Sequence, residues 1–345
     1  MKISFLVTYY NQQEYVEKSL NSIIDINKPC DWEILIGDDG STDQTVDRVK
    51  RYIKKYPEHI KLYVMDRNKG KNNSSVKRAS ANRLNLLKHA TGDYFCTLDG
   101  DDYYCDRKFL EDAIRVFSKQ KEVSIVAFGL RYVENGIEGE EITLPLKTTE
   151  KIVDKMEYLR KYYLHAGACV YKNLFDAKKI AQIEKIGYFD DNDIVVCGLN
   201  CGEMYAINRA IYAYRQTGES VYTYMNALEQ AALNVQGFDI DVQLIESEYY
   251  EALLERNATQ IIALYLWKKK LKKKLGEIKY NRYITEAIEL KEKVPENEVV
   301  SEAIMNYKEL EQKKKKKLDK MVHDLEKKNL RYTLKVWCKS ILGEI

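Results

Sequence analysis

"YFCTLDGDDYYCD", residues 94–106, runs from a short apolar stretch straight into acid: Asp99, Asp101 and Asp102 fall within four positions and Asp106 follows. Carboxylates crowded this closely repel one another, so the cluster requires either water or a cation around it. One reading is a solvated acidic turn capping the helix that starts at 108. The other is a site built on purpose at the end of a buried strand. The segments upstream decide between them.

Working outward, strand-like and helix-like patterns alternate through the first 130 residues. "KISFLVTYY" (2–10), "WEILIGDDGS" (32–41), "IKLYVMDRN" (60–68) and "DYFCTLDGDD" (93–102) read as strands. Helical spacing separates them at 14–24, 42–56, 76–90 and 108–119, with Ser41 or Thr42 as N-cap of the second. Strands joined through helices imply an α/β fold with a mostly parallel central sheet and helices on both faces. Ligands of such sheets bind outside the carboxyl ends of the strands. Three strands end in polar residues, at 8–11, 38–41 and 99–102, and these ends should meet on one rim. Residues 123–224 mix short strands with irregular pieces, and from 226 the pattern is helical, broken near Pro295. The expected domains are therefore 1–225, with halves 1–120 and 121–225, and an α-helical C-terminal region, 226–345.

Bulk properties narrow the class. Apolar residues make up 45% and charged residues 32% of the 345 positions, a soluble globular composition. The longest apolar runs, such as "IIALYLW" (261–267), are far shorter than a bilayer span. The N-terminus lacks a small-residue cleavage pattern. Seven cysteines without a CxxC pair point to reduced thiols in a cytoplasm, and four histidines without HExxH give no histidine-built metal site. The net charge of +3 hides an asymmetry, because residues 261–345 carry about +9 and the front is acidic.

Taken in order, "FLVTYYN", "IGDDGSTD" and "GDYFCTLDGDD" resemble the family-two, inverting glycosyltransferases of the glycosyltransferase-A fold. The resemblance covers the first 110 residues well and weaker features to about 224. It implies a nucleotide-sugar donor, UDP favoured, and a glycan or lipid-linked acceptor at the bacterial cell surface. A donor diphosphate needs its charge neutralised before it can leave. Mn²⁺ or Mg²⁺ suits carboxylate ligands and leaves places for phosphate oxygens. Asp101, with Asp99 or Asp102, would hold that cation, and Asp99 would also border the nucleotide.

The resemblance further places Thr8 and Tyr10 near the base and has Asp39 accept the base's imide N–H. Asp38 then braces the loop, Gly40 permits the turn, and Asp43 reads as a charge at a helix N-terminus. An Ala-Arg-Asn motif of the family appears as Ala81-Asn82-Arg83, with Arg83 in the arginine's place and Leu84 in the asparagine's. Arg83 or Lys77 is then the candidate for diphosphate contact. In "IGYFDDNDIVVCGL" (186–199), Asp191 is the expected general base, taking the acceptor hydroxyl proton. Asp193 is its rival, and a helix cap the structural alternative. Arg215 in "YAYRQTGESV" would add positive charge near the diphosphate and Ser220 a hydrogen bond, whereas His165 is expected to be structural.

The basic rear carries Leu264, Trp267, Leu271, Leu275 and Ile278 at helical spacing with lysines between. Packing on the catalytic domain is the expectation. Peripheral contact with the inner face of the cell membrane through 264–278 is the alternative. A second such stretch follows the lysines at 313–317. A nucleotidyltransferase would need a Gly- and Lys-rich phosphate loop near the N-terminus, and residues 5–15 have no Gly, Lys or Arg. A nucleic-acid-binding protein would need a recognition module beside its lysines, and none is legible, so no nucleic-acid partner is expected. A degenerate transferase serving as a scaffold would not keep Asp39, Asp101 and Asp191. No oligomeric state follows from the sequence.

Overall fold

A computed structural model describes residues 1–66, 75–217, 227–258, 260–261 and 286–287. The chain divides into two compact units, residues 1–158 with 162–219, and 159–161 with 220–345. The first unit opens with the expected alternation: β1 (Lys2–Tyr9), α1 (Val16–Ile24), β2 (Asp31–Asp38), α2 (Thr45–Lys55), β3 (Ile60–Val64), α3 (Ser75–His89), β4 (Tyr94–Asp99). A two-residue β5 (Tyr103–Tyr104) and α4 (Phe109–Lys119) follow. Then come β6 (Val123–Glu134), β7 (Ile137–Ile142), β8 (Glu150–Val153), α5 (Lys155–Lys161), β9 (Cys169–Lys172), α6 (Ala177–Ile186), α7 (Asp191–Leu199) and β10 (Glu203–Arg215). The described part of the second unit comprises the last three residues of α5, α8 (Ala227–Leu244), a short 3₁₀ turn and helical residues at 250–258, 260–261 and 286–287. The stretch 264–278, the lysines at 313–317, Asn68 to Gly70 and Ser220 lie outside the described residues.

Among the described residues one ten-stranded sheet runs in the order β3-β2-β1-β4-β9-β6-β10-β5, with β7 on β6 and β8 on β10. The half from β3 to β4 is parallel throughout. Beyond β4 the sheet turns mixed, because β9 runs antiparallel to both β4 and β6 while β10 is parallel to β6. Residues 3–7 of β1 and 33–38 of β2 are buried without alternation. A strand covered on both faces carries that pattern. The helices bury one face each at helical spacing: Val16, Ser19, Leu20 and Ile23 of α1, and Phe109, Leu110, Ala113, Val116 and Phe117 of α4.

Register decides where the rim lies. Thr8 pairs with Gly37 on one side and Asp99 on the other, so the ends of β1, β2 and β4 finish level. The turns beyond them interlock. Asn11, with a positive φ of 51°, accepts from Thr42 N–H at 2.7 Å and donates its own N–H to Ser41 Oγ at 2.9 Å. Asp38 accepts from Ser41 N–H at 2.8 Å and Asp43 from Thr45 N–H at 2.9 Å. Gly40, at φ +72°, makes the bend between these acids with a backbone that side chains disfavour.

α3 is keyed to β2 by one contact. Asn82, buried, donates Nδ2–H to the Gly37 carbonyl at 2.9 Å. A Cβ on Gly37 would stand 2.1 Å from Asn82 Oδ1. Asn82 is thus a tie between helix and strand. We expect Gly37→Ala to lower stability by about 1–3 kcal/mol through overpacking. Asn82→Ala, which strands the Gly37 carbonyl, should cost a similar ~1–3 kcal/mol. Denaturant melts of the double variant should show a smaller loss than the two single losses combined, since both act on one contact.

Candidate active site

At the corner where β1 and β4 finish, Thr8 Oγ1 donates to Asp99 Oδ1 at 3.1 Å. Against it comes Arg83 from α3, only 6% exposed. Its guanidinium lies 2.9 Å from Asp191, 3.1 Å from Asp190 and 3.5 Å from Asp99. Burial works against this charge, but the carboxylates of Asp191, Asp99 and Asp190 outweigh it and hold the guanidinium protonated beyond its ordinary range.

Asp190, Asp191 and Asp193 open α7, and local chemistry sorts them. Asp190 is the N-cap, and Asp193 reaches back to accept the Asp190 N–H at 2.6 Å, a reciprocal capping box. Asp190 also accepts from Tyr188 OH at 2.9 Å. Asp193 is buried in this cap. Asp191 stays clear of it, facing Arg83 on one side and His165 on the other, with His165 Nε2 at 3.6 Å. Burial pushes the Asp191 carboxyl up, opposed by Arg83 and His165.

His165 also reaches Asp99, at 4.0 Å. Its Nδ1 accepts the Gly167 N–H at 3.1 Å, and its ring lies against Tyr212 and Tyr214, with centroids at 4.7 and 5.2 Å. Asp99, His165 and Asp191 offer ligand atoms that all fall within 4.8 Å of one another. Asp101 is not one of that trio.

The loop after Asp99 turns under Tyr9. A Cβ on Gly100 would lie 2.1 Å from the Tyr9 ring, so only glycine passes there. Asp102, 1% exposed, accepts from Tyr212 OH and from Arg215 N–H, both at 2.7 Å. Arg215 donates to the Asp101 carbonyl and spreads its guanidinium over the rings of Tyr15 and Tyr103, at 5.0 and 4.8 Å. Burial, then the Asp99 charge, pushes the Asp101 carboxyl up to about 6. Burial and the charges of Asp101 and Asp99 push Asp102 well up as well.

On the β2 side, Asp39 is buried and gripped by Arg78, whose Nε donates to Oδ2 at 3.0 Å and whose Nη2 donates to both Oδ1 and the Asp39 carbonyl. Tyr9 points into the core, where its hydroxyl meets Ser19, and Tyr10 stands at the rim 38% exposed.

Of the residues singled out from sequence, Thr8, Arg83, Asp99 and Asp191 meet in one cluster. Asp101 sits on the adjoining loop with Arg215, at the end of β10, against it, while Asp39 and Tyr10 flank it near β2. Arg83 is engaged by carboxylates rather than held open. His165, expected to be structural, stands at the centre, and Arg78 and Tyr212 went unmarked. Arg78 lies one position after Lys77, the exposed lysine that drew attention instead. Nothing in the spacing distinguishes the two until α3 is docked.

The sign of the Asp101 shift gives a test. A carboxyl raised in the fold penalises the folded state above its folded pKa, and the penalty disappears as pH falls toward the unfolded value. Asp101→Asn should therefore raise the thermal midpoint of cation-free protein at pH 8. The gain should shrink as pH falls below about 6 and vanish near pH 4. An advantage that is flat with pH would contradict this.

Comparison with known proteins agrees with the geometry. The family model described as Glycosyl transferase family 2 matches residues 4–180. EpsE of Bacillus subtilis is 33% identical over 142 residues, 41% of this chain and 48% of that protein. A poly(ribitol-phosphate) beta-glucosyltransferase of Bacillus spizizenii is 30% identical over 159 residues, 46% of this chain and 23% of that protein. The chain thus matches about half or less of the length of these relatives. The crystal structure of S. aureus TarS 1–349 in complex with UDP-GlcNAc superposes with a TM-score of 0.56 at 18% identity, covering 99% of this chain and 92% of that one, a likeness of fold. With a family model spanning half the chain and this arrangement of strand ends, the protein belongs to glycosyltransferase family 2 and has the glycosyltransferase-A fold.

Proposed function

We propose that this protein transfers a sugar, with inversion, from a UDP-sugar to a glycan or lipid-linked acceptor in the making of a bacterial cell-surface polysaccharide. Residues 1–225 form the catalytic region, and 226–345 follow it in the chain. The observation that carries the reading is the convergence of Asp99, Arg83, Asp191 and Thr8 at the carboxyl ends of β1 and β4. The relatives support it, since one is a poly(ribitol-phosphate) beta-glucosyltransferase and S. aureus TarS has been solved in complex with UDP-GlcNAc.

The donor set fits a divalent cation. Asp101 is pushed up to about 6 by burial and the neighbouring Asp99 charge, so negative charge on this loop is held at a cost that a cation relieves. Carboxylate oxygens are the ligands Mn²⁺ and Mg²⁺ prefer. Asp101 and Asp99 would hold it, and when bound it supplies positive charge to the departing diphosphate. Asp39, fixed by Arg78, accepts the imide N–H of the base, with Tyr10 against the base face and Thr8 beneath. Arg215 adds charge on the loop side. Asp191 faces the acceptor. Its carboxylate takes the acceptor hydroxyl proton as that oxygen bonds to the anomeric carbon. The bond from that carbon to the diphosphate breaks on the opposite face, and UDP leaves with the electron pair. Burial keeps Asp191 more basic than an ordinary carboxylate, which suits this role.

Thermal stability with UDP, dTDP, GDP, CDP and ADP, each with and without Mn²⁺, tests the donor side. Saturating UDP at ~100 times its dissociation constant should add about 2.7 kcal/mol. That shift should need the cation and disappear in Asp101→Ala. Asp191→Asn should keep the UDP shift and lose transfer by about 10²–10⁴-fold. No shift with any nucleotide would remove the reading.

A further inference from the structure

His165 stands against both acids of the cluster, and two roles are open to it there, cation ligand or proton-bearing partner. The backbone discriminates between them. Gly167 N–H donates to His165 Nδ1 at 3.1 Å, so the lone pair of Nδ1 is engaged. In a neutral imidazole one nitrogen accepts and the other carries the proton, so the proton belongs on Nε2. Nε2 is the atom that faces Asp191 Oδ2, at 3.6 Å, and Asp99 Oδ2, at 4.0 Å. A protonated ring nitrogen has no lone pair to give a metal.

We propose that His165 is a positioning residue of the transfer reaction, an imidazole whose Nε2–H is directed at the Asp191 carboxylate, and that it is not a cation ligand. This rests on Asp191 as the general base. Arg83 holds Asp191 Oδ1 from one side at 2.9 Å and His165 holds Oδ2 from the other, so the carboxylate is oriented at both oxygens. At 3.6 Å the second contact is longer than a formed hydrogen bond. Contacts of this kind commonly tighten once substrate is bound.

The ring cannot easily turn away. Tyr212 lies tilted against it, at 33°, and Tyr214 meets it edge-on, at 63°. Gly167 lets Tyr212 approach, since a Cβ there would lie 2.2 Å from that ring. Tyr212 is itself anchored by its hydroxyl to Asp102, at 2.7 Å. The acidic loop expected to hold the cation therefore also positions the imidazole that orients the base, through Asp102 and Tyr212.

Two amide substitutions separate the roles. His165→Asn keeps an acceptor for the Gly167 N–H but loses the far donor, whereas His165→Gln carries an N–H near the position of Nε2. We expect His165→Asn to lower kcat by about 10- to 100-fold with the donor KM unchanged, and His165→Gln to restore most of it. Mn²⁺ affinity should be unchanged in both. Nitrogen-15 NMR of the wild-type ring, with and without Mg²⁺, should show the Nε2–H tautomer throughout and needs no variant to fold. An Nδ1–H tautomer, or an equal loss of Mn²⁺ affinity in both variants, would make His165 a ligand and overturn the proposal. Wild-type kcat in His165→Asn while Asp191→Asn is inactive would show that the imidazole does not position the base. If Asp191→Asn keeps transfer, the base assignment itself has failed, and that variant alone reveals it.

Discussion

A single buried guanidinium holds the site together. Arg83 brings the carboxylates of Asp99, Asp190 and Asp191 within 3.5 Å of itself, from β4 and from the start of α7, elements about 90 residues apart in sequence. Charges of one sign gathered at the ends of neighbouring strands would otherwise force the loops apart or draw in water. A buried guanidinium is tolerable only when paired, and acids this close are tolerable only beside it. Each side of the pairing is the condition for the other. Because α3 is docked by Asn82 against Gly37, the position of Arg83 is set by packing on β2 rather than by the carboxylates alone.

A second set of contacts carries this order across the sheet. Asp102 binds the hydroxyl of Tyr212 and the backbone of Arg215, both on β10, and Arg215 returns to the carbonyl of Asp101. The acidic loop is thereby clamped to a strand from the mixed half of the sheet. The same Tyr212 ring supports His165, which faces Asp191. Donor side and acceptor side of the proposed reaction thus share side chains. The crowding also explains the raised carboxyls of Asp101 and Asp102, where burial and the neighbouring acid charges outweigh the relief that Arg215 provides.

Three aspartates at the head of α7 show how local structure assigns roles that composition leaves open. All three could have served as a base by type and spacing. Helix capping takes Asp190 and Asp193, because the first N–H groups of a helix need acceptors. Asp191, between them, is left to face Arg83 and His165. The swap of Ala-Arg-Asn to Ala-Asn-Arg has a comparable origin, since Asn82 fills the place against Gly37 and leaves Arg83 for the acids.

Much of this was legible in the chain itself. The resemblance to the glycosyltransferases is what drew attention to Arg83 and Asp191, while the alternation of strands and helices and the strand ends at Thr8, Asp39 and Asp99 follow from periodicity and motif order. These depend on neighbours in sequence, where a period of two or 3.6 and a turn of Gly and Asp leave a direct trace. The mixed half of the sheet, the grip of Arg78 on Asp39, the anchoring of Tyr212 by Asp102 and the arrival of His165 beside Asp191 left no such trace. Each joins residues 26 to 110 positions apart, or pairs strands whose direction no local pattern encodes. A histidine in an irregular segment looks the same whether it packs in a core or faces a carboxylate. Only the closing of β9 and β10 against β4 and β6 brings its ring to the acids, so sequence determined the chemistry that collects at the rim, and tertiary packing decided which groups touch.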